Sequence, residues 1–108
     1  MKTLISLFAI ITLVACSASK LTGPSQADID RISEKFPDYT LAQLNDGKML
    51  YEKNCDLCHG MKSPKDKDED GWRKIVPVMV EKVHKKGKEL NSDQEELILK
   101  YLITMSGK

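Results

Sequence analysis

Cys55-Asp56-Leu57-Cys58-His59 places two thiols three positions apart and an imidazole at the very next residue. Thiols about one helical turn apart can reach the two vinyl groups on one edge of a porphyrin and form thioethers. The adjacent histidine can then bind iron through Nε2 as the proximal ligand. The spacing therefore predicts covalent attachment of one haem c through Cys55 and Cys58, with His59 on the iron. A Cys-x-x-Cys pair also serves as a redox dithiol, a structural disulfide or half a zinc site. Against zinc, no second Cys-x-x-Cys or His-x-His group occurs, and the other histidine is His84. Against a thioredoxin-like dithiol, no βαβ pattern surrounds the motif.

The 108 residues are enough for one small domain, and the first of them read as an address. Met1 and Lys2 lead into a largely apolar run, Leu4 to Ala15, too short for a permanent bilayer span. Residues 1–15 are thus expected to be a secretory signal peptide. The end of that run, Leu13-Val14-Ala15-Cys16, resembles the bacterial lipobox. That resemblance implies that Cys16 becomes the first mature residue and carries lipid. Ser17 resembles the pattern sent to the outer membrane in Gram-negative bacteria. The competing reading is a plain signal peptide with Cys16 incidental. With lipid on Cys16 and haem on Cys55 and Cys58, all three cysteines are used. The expected location is the cell envelope, lipid-anchored and facing the periplasm, where acyl chains contribute about 0.8 kcal/mol per buried methylene. Removing Lys2 leaves sixteen basic against sixteen acidic side chains, with no basic excess for nucleic acid.

The elements that must position the motif follow in order. Residues 16–24 form a lipidated tether; Ser17 to Pro24, fully extended, span at most ~26–29 Å. Residues 25–37 are an extension with a short helix over Ser25 to Phe36. Ser25 and Asp28 cap its start, Ile29, Ile32 and Phe36 recur at helical spacing, and Pro37 ends it. The haem domain is expected over residues 38–108. Thr40 caps a helix with Leu41, Leu44, Gly47 and Tyr51 on one face, running straight into Cys55. Lys62 to Asp70 reads as an exposed loop whose closing acids, Asp68, Glu69 and Asp70, suit the N-terminus of the next helix. That helix carries Trp72, Ile75, Val76, Met79, Val80 and Val83 as an apolar stripe. Pro77 lies off the stripe and is expected to interrupt and kink it, and Lys85-Lys86-Gly87 closes it. A last helix starts near Ser92, with Ser92 and Glu95 as a capping box, and presents Leu97, Ile98, Tyr101, Leu102 and Met105 on one side. No strand pattern occurs, so the fold class is all-α. A haem would supply the centre that so few apolar residues cannot make securely alone.

Gly47-Lys48-Met49-Leu50-Tyr51-Glu52-Lys53-Asn54 leading into Cys55-Asp56-Leu57-Cys58-His59-Gly60 resembles the start of a class I cytochrome c. With Trp72-x6-Met79 and the Tyr101-Leu102 ending, the resemblance covers about Pro37 to Ser106. It implies a cytochrome c fold in which the N- and C-terminal helices of the haem domain cross with the haem at the centre. Gly47 and Tyr51 would then meet Ile98 and Tyr101. The chain departs from mitochondrial-type relatives in being shorter and in carrying its methionine on an expected helix. In this it is similar to small bacterial cytochrome c domains with a Trp-x6-Met helix, and that similarity implies Met79 as the distal iron ligand.

Read from the residues alone, the sixth ligand has five candidates: Met49, Met61, Met79, His84 and Met105. Met61 lies two residues after His59 and cannot reach the opposite face of the ring. Met49 and Met105 belong to the paired end helices, where methionine usually fills core gaps. Met79 follows a loop long enough to pass the haem edge. His84 is the alternative; it lies about 140° round the helix from Met79 and among lysines. The other ring nitrogen of His59 needs an acceptor, for which a backbone carbonyl near Pro64 is a candidate. Trp72 can pack on the haem edge, donate its N–H to a propionate, or serve as a plain core aromatic. The lysines from Lys82 to Lys88 can orient an acidic partner or form an ordinary solvated face.

The expected function is that of a mono-haem electron carrier between redox-protein donor and acceptor in the bacterial envelope. It would not be an enzyme and would take no small-molecule substrate. Two alternatives stay open: a haem-based sensor or ligand binder with a labile or open distal site, and a haem subunit of a larger oxidoreductase. No distal His/Arg pair for acid–base catalysis is readable.

Overall fold

A computed structural model describes residues 23–55 and 62–107. The expected signal peptide, Cys16, most of the expected tether, Cys58, His59 and Met61 lie outside the described residues. Four α-helices make up the rest: α1 (Gln26–Ile32), α2 (Leu41–Cys55), α3 (Glu69–Lys85) and α4 (Ser92–Ser106), with a 3-10 turn at Pro64–Asp66. The fold is all-helical, and among the described residues there is no strand. No described helix is long and apolar enough to cross a membrane.

α4 is the shared wall, with α1, α2, α3 and the 3-10 turn all packing against it. Leu44 and Tyr51 from α2, Trp72, Val76, Val80 and Val83 from α3, and Ile98, Tyr101 and Leu102 from α4 make the dry centre. The tightest approach is at Gly47. A Cβ built there would run into the Leu97 carbonyl and lie 2.8 Å from the Tyr101 Cβ, so only glycine lets α2 and α4 meet. The Tyr51 and Tyr101 rings then pack at 5.9 Å between centroids, as the expected helix pairing requires.

Several local expectations are corrected. The first helix stops at Ile32 and does not run to Phe36; residues 33–36 continue as turns on the Ile32 carbonyl. Ser33 turns its hydroxyl back onto the Asp30 carbonyl, and Pro37 keeps its predecessor out of the helical region. α3 begins at Glu69, where the Asp68 carboxylate accepts from the Gly71 N–H at 2.8 Å. It also runs unbroken through Pro77, which faces solvent, where water can serve the carbonyl that proline leaves unpaired. Gly87, at φ +83°, makes the left-handed stop expected of it. The cap of α4 is Asn91, not Ser92: Asn91 accepts from the Gln94 N–H at 2.8 Å and Gln94 answers at 3.0 Å. The overlapping Ser92–Glu95 box loses because the Asn91 box starts the helix a residue earlier.

The extension at 25–37 is part of the same core. Ile29 is buried, and Arg31 donates through Nη2 to the Thr104 carbonyl at 3.0 Å, in the last turn of α4. Phe36 meets Tyr39 edge-on at 5.8 Å, and the Lys100 ammonium lies 5.2 Å and 5.6 Å from the two ring centroids.

Candidate haem-attachment site

Cys55 is the last residue of α2, half-buried and packed against the core. The helix reaches it because Thr40 and Gln43 cap the start reciprocally, at 3.0 Å and 3.2 Å, and its 15 residues continue without a breaker except the required Gly47. Asn54, just before it, is buried and spends its amide N–H on the Leu50 carbonyl at 2.8 Å. This satisfies a polar side chain inside the last turn without any tertiary partner.

Tyr51, one turn before Cys55, is buried and donates its hydroxyl to the Lys62 carbonyl at 2.7 Å. Burial pushes the Tyr51 phenol up to about 12; the bond to Lys62 offsets a little of that. Trp72 packs edge-on to Tyr51 at 6.4 Å and is wholly buried. Its indole N–H is directed inward, to the Pro64 carbonyl at 2.8 Å. So the Trp72 donor considered for a propionate is occupied. The His59 ring lies outside the described residues.

The distal candidates separate by burial. Met79 is half-buried beside Ile75 on the flank of α3, packed against the core. Met105 is also half-buried against the core. Met49 is 59% exposed, which corrects the expectation that it fills a core gap: it projects from the side of α2 away from Gly47. His84 is exposed, and its Nε2 sits 2.9 Å from the Leu90 carbonyl and 3.4 Å from the Leu90 N–H, tying the end of α3 to the turn before α4. A separate cleft is lined by Arg31, Ser63, Lys65, Tyr101 and Met105, and neither Cys55 nor Met79 borders it.

The donor set fits a haem in one respect that the structure carries. Leu50, Cys55, Ile75 and Met79 are apolar or weakly polar, belong to the fringe of the core, and are only partly covered. An apolar group laid there would gain burial at roughly 25 cal/mol per Å² of apolar surface. Sequence reasoning missed the carbonyl partners of Tyr51 and Trp72, the self-satisfied Asn54 and the packing of α1. The available signal for the first was an aromatic with a polar tip one turn ahead of the first thiol. Comparison with protein-family models, with curated protein sequences and with solved structures returned no match.

Proposed function

We propose that this chain is a mono-haem c-type cytochrome of the bacterial cell envelope that carries single electrons between protein partners. The observation that carries the reading is Cys55-Asp56-Leu57-Cys58-His59 at the end of a helix, with a half-covered methionine on a second helix of the same core. When bound, the haem supplies an Fe(III)/Fe(II) couple. Cys55 and Cys58 would hold it through thioethers, and His59 and Met79 would bind its iron. A thioether ligand favours Fe(II), so Met79 would raise the potential. The Gly47 crossing keeps the helix that ends in Cys55 at a fixed distance from α4. The cytochrome c arrangement is favoured by that crossing, since Gly47 and Tyr51 meet Tyr101 as the resemblance implies. Lipid on Cys16 would anchor the domain to the envelope membrane, on the outer-membrane side if Ser17 is read as the sorting residue. Met79 is preferred to His84 because the His84 Nε2 is already taken up at Leu90.

The test is export of the full chain in a host with haem-attachment machinery. One haem per chain by pyridine haemochrome, and an unchanged reduced spectrum under CO, are expected. Met79→Ala should open the site and bind CO at once. Immediate CO binding by the wild type would point instead to a ligand binder. A Met79→Ala protein that still ignores CO would overturn the ligand assignment.

A further inference from the structure

Among the described residues, two buried side-chain hydroxyls make no hydrogen bond, those of Tyr39 and Thr104. Tyr39 is 6% exposed and Thr104 not at all. Burial drives the Tyr39 phenol above its ordinary value, and the Thr104 side chain acts against that rise, so the two groups are neighbours. A hydroxyl inside a helix can turn back onto an earlier carbonyl, as Ser106 does to Ile103 at 2.8 Å; Thr104 does not. The Thr104 carbonyl is already taken by Arg31 Nη2 at 3.0 Å. The Tyr39 ring is held as well: Phe36 meets it edge-on at 5.8 Å, and the Lys100 ammonium lies 5.6 Å from its centroid. Two fixed hydroxyls thus meet where residues 25–39 pack on the last turn of α4, and no bond joins them.

A buried hydroxyl left unpaired loses the hydrogen bonds it made with water, a cost that folded proteins seldom leave standing. One small molecule can meet both groups: a water accepts from the Tyr39 O–H and donates to Thr104 Oγ1. Internal waters ordinarily sit between such otherwise unpaired polar groups. We propose that this seam is a binding site for one buried water, which joins the Tyr39 and Thr104 hydroxyls and fastens residues 25–39 to α4. Nothing in the site depends on the cytochrome reading.

Oxygen-17 magnetic relaxation dispersion on the full chain, kept reduced, counts waters held far longer than bulk water. Tyr39→Phe and Thr104→Val each delete one hydroxyl and nearly keep its shape, so both variants should fold. The wild type should hold one more long-lived water than either of them. Thr104→Ser, which keeps a hydroxyl, should hold as many as the wild type. Each deleting variant should melt about 4–8 °C lower, and the double variant no lower than either alone, because the second deletion has no bridge left to break. A wild type whose count equals that of both variants overturns the water site. Coupled melts would then mean that the hydroxyls bond directly, and additive melts that the seam has no polar joint. A Thr104→Ser protein that loses the water as Thr104→Val does also overturns it, since the hydroxyl would not be what holds the molecule.

Discussion

The α2–α4 crossing and the Ile75–Met79 flank of α3 handle apolar surface differently. At the crossing, Gly47 lets two backbones approach until the Leu97 carbonyl occupies the place of a side chain, and Leu44, Ile98 and Leu102 around it are dry. On the flank, Ile75 and Met79 are only half covered, as are Leu50 and Cys55 on α2. The first region is complete within the chain. The second keeps apolar area in water that a further apolar body would remove.

The largest effect should come from filling the closed region. Gly47→Ala forces α2 from α4 against backbone that cannot yield, and should cost about 3 kcal/mol or more. A thermal melt should then fall by ~10 °C or more. A melt within a few degrees of wild type would mean that the crossing is as loose as the flank.

Raising the pH sharpens the contrast next, because the closed region contains the buried phenols. Burial pushes Tyr39, Tyr51 and Tyr101 above their ordinary value, Tyr51 to about 12. A phenol whose folded pKa exceeds its unfolded value of about 10 contributes stability that is full below about pH 10. That contribution is lost as pH rises toward 12. Urea midpoints should therefore hold up to about pH 10 and drop beyond it, with a shallower drop in Tyr51→Phe.

The smallest effect belongs to α1. Arg31→Ala removes the bond to the Thr104 carbonyl and the pair with Asp28 at 2.9 Å. Since the guanidinium is half exposed, about 1 kcal/mol is expected, or ~4–8 °C in a melt. A loss as large as that of Gly47→Ala would show α1 to be as essential to the core as the crossing.

The sequence alone determined the all-helical class and the buried faces of α2, α3 and α4. These follow from residue type and from a period of 3.6, which are local properties. It also marked Gly47 as the point of approach, through the resemblance it carries. Tertiary structure decided the remainder. Arg31 and Thr104 are 73 residues apart, and no pattern around either names the other. That α3 passes through Pro77 depended on which side met solvent, and Asn91 took the cap because its box begins the helix earlier. The loop carbonyls that receive Tyr51 and Trp72 were likewise set by where separate chain segments come to lie. Periodicity records which face of an element is buried; it does not record the distances between elements, and hydrogen bonds across the core depend on those distances.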